Sequence, residues 1–226
     1  NINFVTPSHV VPQILAALEI AIQHGLNVPL VYNSGGYDRP ATIKLLEGVF
    51  DIYMPDFKFW DRAIAENACQ AGDYAEIACR ALKEMHRQVG PLKFGPNGLA
   101  RRGLLVRHLV MPRGVAGTDE VMRFLAEEIS ADTFVNVMDQ YRPDAQVLKR
   151  PDQYADIHRR PTPDELRARL REAAARSGVS AGEFVRRALR RALEEETARP
   201  PRRTDRDPWR VLRRHRHRDQ GGPPKA

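Results

Sequence analysis

Asp56-Phe57-Lys58 places an acid and a lysine two residues apart at the end of an apolar run. Strand alternation puts both side chains on one side. A lysine there can bind a carboxylate or phosphate, or form a Schiff base if its pKa is lowered. A plain Asp–Lys surface pair is the bland alternative. Arg107-His108 interrupts another apolar run. Alternation sends one of these side chains inward and the other toward the covering helices. A buried arginine needs an anionic partner, so Arg107 is a ligand clamp or half of an internal ion pair. His108 reads as a satisfied core histidine. In Asn33-Ser34-Gly35-Gly36 the glycines allow a close backbone approach to a ligand, or a simple turn. Thr6, Arg113, Gln140, Tyr141 and Arg142 also follow apolar runs. Cys69 and Cys79 are ten apart with no C-x-x-C, and His9, His24, His86 and His158 lack ligand spacing. The chain has no recognisable iron–sulfur or zinc motif.

Five strand–helix alternations position these residues. Strands are predicted at Ile2–Val5, Pro29–Asn33, Asp51–Asp56, Gly103–Met111 and Phe134–Met138. Ser8 is expected to cap a helix to about His24, stopped by Gly25. Further helices are expected from Pro40 to about Glu47, from a cap at Asp73 to Val89, and from a cap at Thr118 to Ile129. This α/β pattern implies parallel strands with right-handed crossovers, in a TIM-like barrel or a doubly wound sheet. Ligands bind outside the carboxyl ends of such strands. A closed barrel needs about eight strands. With five, and a start inside a strand without an initiator Met, the expectation is an N-terminally truncated partial barrel. It would be the C-terminal part of a larger enzyme.

The 226 residues carry a formal charge of +7, but unevenly. Residues 1–150 hold 16 basic and 17 acidic side chains, and residues 199–226 hold 10 and 3. The body is neutral and the tail is basic. Three regions are expected: the barrel at 1–160, helices at 161–197, and a basic disordered tail at 198–226. Thr162-Pro163-Asp164-Glu165 and Ser180-Ala181-Gly182-Glu183 read as capping boxes. No apolar run is long enough to span a membrane, and no signal peptide is visible. Two cysteines suggest a reducing compartment, hence the cytoplasm.

Five segments resemble radical S-adenosylmethionine proteins of the pyruvate formate-lyase activating type. They are Asn-Ile-Asn-Phe-Val-Thr-Pro-Ser-His at 1–9, Val-Tyr-Asn-Ser-Gly-Gly-Tyr at 31–37 and Asp-Ile-Tyr-Met-Pro-Asp-Phe-Lys at 51–58. Val-Arg-His-Leu-Val-Met-Pro at 106–112 and Val-Met-Asp-Gln-Tyr-Arg-Pro at 137–143 complete the set. The resemblance implies a partial (β/α) barrel, a 4Fe–4S cluster held by C-x-x-x-C-x-x-C, and S-adenosylmethionine. It also implies cleavage to a 5′-deoxyadenosyl radical that abstracts hydrogen, in activating enzymes from a glycine of a glycyl radical protein. Carried over by position, Asn33 and Ser34 contact cofactor or substrate, and Lys58 takes a carboxylate. Asn3 and Thr6 lie near the methionine or ribose end, and Arg107 and Gln140 line the site. The cluster cysteines and the glycine-rich strand are absent and would lie upstream of Asn1. The chain alone is therefore expected to be inactive.

Two other readings compete. Residues 163–196 look similar to ribbon-helix-helix domains, which bind DNA; Tyr154–Arg159 would then have to form the ribbon strand. A barrel lyase could instead use Lys58 as a Schiff base.

Overall fold

The computed structural model describes residues 1–176. It is a mixed α/β fold around a mostly parallel seven-stranded sheet. The strands are β1 (Ile2–Val5), β2 (Leu30–Asn33), β3 (Ile52–Tyr53), β4 (Asp56–Phe57), β5 (Lys93–Phe94), β6 (Ala100–Leu109) and β7 (Phe134–Met138). The helices are α1 (Val11–Gln23), α2 (Pro40–Leu45), α3 (Arg62–Cys69), α4 (Tyr74–Val89), α5 (Thr118–Phe124), α6 (Gln146–Lys149) and α7 (Pro163–Arg176). A π-helical turn, Leu125–Ile129, extends α5.

Strand order follows chain order. β1 pairs β2, β2 pairs β3, β3 and β4 both pair β6, and β6 pairs β7, all in parallel. The single strand expected at 51–56 is split because Pro55 has no N–H to give the ladder. Its carbonyl still accepts the Arg107 N–H at 2.9 Å, so β3 and β4 run along one edge of β6. β5 is an antiparallel addition at the start of β6. Neither it nor α3 and α6 is expected from the sequence pattern.

The sheet has two unlike faces. Tyr53, Leu104, Val106, Phe57 and His108 are all fully buried, and point toward the helices with Leu82 and Met85 of α4. On the opposite face, Leu105, Arg107 and Leu109 alternate with them and are only half-buried. One register row there joins Asn3, Val31, Ile52 and Gly103, and another joins Asp56, Arg107 and Asn136.

Three expected caps fail for one reason: their side chains have tertiary partners. Ser8 donates to Asp38 at 2.6 Å, so α1 begins only at Val11. Asp73 accepts from the Tyr37 hydroxyl, and no side-chain cap bond forms at α4. Thr118 is the first residue of α5, behind Gly117 in a left-handed conformation. The capping box at α7 does form: Glu165 N–H donates to Thr162 Oγ1 at 3.2 Å, and Thr162 N–H to Glu165 Oε2 at 2.7 Å. Residues 151–159 form turns and bends, so the ribbon strand required for DNA binding is not there. The capping box at 180–183 and the tail at 198–226 lie outside the described residues.

His108 is a core histidine, as expected. Its Nδ1 lies 2.8 Å from Phe57 O and its Nε2 2.8 Å from Thr118 Oγ1. A carbonyl only accepts, so Nδ1 carries the proton and Nε2 accepts from Thr118. Burial lowers its pKa from 6.5 to about 4. The unfolded chain takes up this proton near 6.5, the folded one only near 4. The stability held by neutral His108 is therefore complete above pH 6.5 and is lost as pH falls toward 4. Urea midpoints should drop across that window, and His108→Gln should flatten the drop. An equally steep drop in the variant would contradict this assignment.

Candidate functional site

The carboxyl ends of β4, β6 and β7 surround a cavity of about 370 Å³. Asp56 stands at its polar end. Its Oδ1 accepts Arg107 Nε at 2.8 Å and lies 2.6 Å from Arg107 Nη2. Its Oδ2 lies 2.9 Å from Lys58 Nζ. Two cations share one carboxylate, so the group carries one positive charge in excess. Asp56 is 18% exposed, Arg107 28% and Lys58 45%. Burial restrains the acid, while the two cations keep surface open to a ligand. Gln140 and Tyr141 add an amide and a phenol, and Phe59, Leu109, Met111, Met138, Val147 and Ile157 form apolar walls.

The backbone under Asp56 and Lys58 is fixed by Tyr74 from α4, which is 2% exposed. Its hydroxyl proton sits between Gly35 O at 2.8 Å and Asp56 O at 3.1 Å. Its oxygen accepts the Lys58 N–H at 3.0 Å. Burial pushes the Tyr74 phenol well up, so it stays a neutral donor. Gly36 has φ +78°, and a Cβ there would collide with the Asp56 carbonyl oxygen. The double glycine thus serves close packing of two strand ends.

Beneath the same turn lies a buried carboxylate. Asp38, 3% exposed, accepts from Ser8 at 2.6 Å, Ser34 at 2.6 Å and Tyr32 at 3.0 Å. Burial first, and Asp38 second, push the Tyr32 phenol up. Ser34 also accepts the Gly36 N–H at 3.2 Å. Its hydroxyl therefore serves the turn.

Of the residues singled out from sequence, Lys58, Arg107 and Gln140 line the cavity. Asn3, Thr6, Asn33 and Ser34 are not among its lining residues. Asn3 is exposed on β1, yet shares the sheet face of Arg107 through its register row. Asn33 is buried at the end of β2. Thr6 is exposed, with φ 54° and its N–H on Asn33 O at 2.8 Å. A β-branched residue rarely takes that conformation. Sequence reading missed Asp38, Tyr74 and Asn136. The register row shared with Arg107 is the signal for Asn136; Tyr74 meets partners 16 to 39 residues away, whereas Asp38 takes Ser34 and Tyr32 from four and six residues before it and Ser8 from thirty.

The chain is 30% identical over 171 residues to an uncharacterized protein of Methanocaldococcus jannaschii. The match covers 75% of this chain and 45% of that protein, so the chain spans less than half of its relative's length. No family model and no solved structure matches the chain. Among the described residues, no helix is long and apolar enough to cross a membrane.

Tyr74→Phe should leave the Lys58 N–H and the carbonyls of Gly35 and Asp56 short of a partner. The expected cost is about 1–3 kcal/mol in urea unfolding. A loss too small to measure would mean that the hydroxyl does not bind the two strand ends together.

Proposed function

We propose that this chain is the C-terminal part of a radical S-adenosylmethionine enzyme of the pyruvate formate-lyase activating type. Its sheet is an arc of a (β/α) barrel, and Lys58, Arg107 and Gln140 bind the cofactor. The proposed activity of the longer protein is hydrogen abstraction, with a glycyl radical protein as candidate partner and the cytoplasm as its compartment. One observation carries the reading. The five segments that resemble the family occur in order, and three of their residues, Lys58, Arg107 and Gln140, meet at one cavity. Parallel strands in chain order support the barrel arc, because they show none of the order reversal that marks a doubly wound sheet.

The residues fit one of the two implied groups. The excess positive charge around Asp56 suits the carboxylate of S-adenosylmethionine. A cluster bound through three cysteines does not fit this chain. The chain has two; Cys69 lies on α3 and Cys79 on α4. Among the described residues, no group of three or more His, Cys, Asp or Glu could hold a metal ion. The proposal places the cluster cysteines in a segment preceding Asn1 of a longer protein. The lyase reading is less well supported. Lys58 is held in an ion pair with Asp56, whereas a Schiff base needs a free amine.

The test uses the longer protein read in frame from the DNA upstream of Asn1. Reconstituted anaerobically with iron and sulfide, it should absorb near about 400 nm, as thiolate-held iron–sulfur clusters do. It should also cleave S-adenosylmethionine, and Arg107→Gln should weaken binding by about 10–100-fold, the value of a charged hydrogen bond. A longer protein with neither the cysteine motif nor cofactor cleavage would overturn the proposal.

A further inference from the structure

One wall of the cavity is built unlike the rest. Phe57, Phe59, Leu109, Met111 and Met138 belong to the sheet or to turns against it. Tyr141, Val147 and Ile157 come instead from the chain that leaves β7. Apart from the four-residue α6, residues 141–160 are turns and irregular backbone, and none of them is buried. Leu148 is 62% exposed.

The strap is held by Tyr141 and Ile157, partly buried against the core, and by a few surface contacts. Asn67 of α3 donates to Gln153 O at 3.1 Å, and the Gln153 amide returns to Asn67 Oδ1 at 3.3 Å. Arg113 meets Asp156 at 3.0 Å, with both side chains 54% exposed. Tyr141 donates to Ile157 O at 2.6 Å, tying one end of the strap to the other. Beyond it, Arg159 grips Glu165 with two bonds of 2.8 Å, and Glu165 also accepts the Arg113 N–H at 2.9 Å. That second anchor is firm. At the other end Ala145 has φ 47° and ψ −114°, a conformation costly for any residue with a Cβ. A segment with no buried side chain, exposed tethers and a strained residue at its start opens at low free energy.

We propose that residues 144–160 are a lid that swings from the strained Ala145 to the Arg159–Glu165 anchor. It closes on a small ligand with an anionic head and a flat apolar body. Val147 and Ile157 select that body. The head, carboxylate or phosphate, lies at Arg107 and Lys58, where one positive charge is in excess. The body lies between Val147 and Ile157 on the lid and Leu109, Met111 and Met138 on the sheet side. A cavity of about 370 Å³ suits a small molecule. This inference goes beyond the radical reading and does not depend on it, since it needs neither cluster nor catalysis.

Hydrogen exchange of the whole 226-residue chain tests it. Without ligand, residues 144–160 should exchange far faster than β6. Millimolar 4-phenylbutyrate, phenyl phosphate or S-adenosylmethionine should slow the lid, and 4-phenylbutanol, which lacks the charge, should not. Protection by the first or second probe identifies the head. Val147→Ser and Ile157→Ser should each weaken protection by about tenfold or more, as a lost methylene does in an apolar pocket. Asn67→Ala removes a tether without touching the cavity lining. It should speed lid exchange while leaving β6 unchanged. A lid that exchanges as slowly as β6 without ligand overturns the proposal. So does exchange that none of these three carboxylate- or phosphate-bearing probes alters, or equal protection by 4-phenylbutanol. Protection by 4-phenylbutyrate without protection by S-adenosylmethionine would support the lid and count against the cofactor reading alone.

Discussion

The carboxylate of Asp56 holds the site together. It stands where Pro55 breaks the ladder, directly opposite Arg107 in the β4–β6 register. From there it reaches the guanidinium across the strands and the Lys58 ammonium two residues along its own chain. A half-buried arginine in the apolar half of β6 would be costly without an anion. Asp56 supplies that anion yet offsets only one of two cations. The positive charge left over is the feature on which the proposed anion site rests. Tyr74 and Gly36 serve the same arrangement by fixing the backbone on which Asp56 and Lys58 stand.

Adjacent residues of β6 show how finely the sheet separates its two faces. Arg107 faces the cavity and His108 faces α5, one residue on. The first is paired with an acid across the strands. The second is kept neutral by burial and bonded at both nitrogens. Exchanging the two faces would bury an arginine among Phe57 and Phe124 and place a histidine beside Asp56. The register that prevents this is fixed by the apolar residues Leu104, Val106 and Val110, all fully buried on the helix side.

The long apolar run of β6 made its position legible in advance, as did the alternation of Asp56 with Lys58. Arg107 as half of an ion pair was among the expected outcomes, and the two faces of β6 followed from period two alone. The caps were less legible. A serine or threonine before an apolar stripe is a sound helix start only while its hydroxyl has no better partner. Ser8 found Asp38, thirty residues away, and Thr118 found His108. α3 was hidden because it is short and buries only Ala65. The wall contributed by Val147 and Ile157 was invisible for another reason. It depends on where an irregular strap falls after β7, and no local periodicity encodes that. Asn3, Thr6 and Asn33 lie outside the cavity's lining because they belong to β1, the turn after it and β2, beyond β3 in the sheet, whereas Ser34, whose carbonyl accepts the Asp56 N–H at 3.0 Å, turns its hydroxyl to Asp38.

The central question is whether the carboxyl edge of β4, β6 and β7 receives a ligand through a carboxylate or phosphate head. The most direct measurement is amide chemical-shift mapping of the chain titrated with S-adenosylmethionine. Shifts should concentrate at Lys58, Arg107 and Gln140, with a weaker response at the β1 and β2 ends. Shifts confined to other surfaces, or none at saturating cofactor, would contradict such binding.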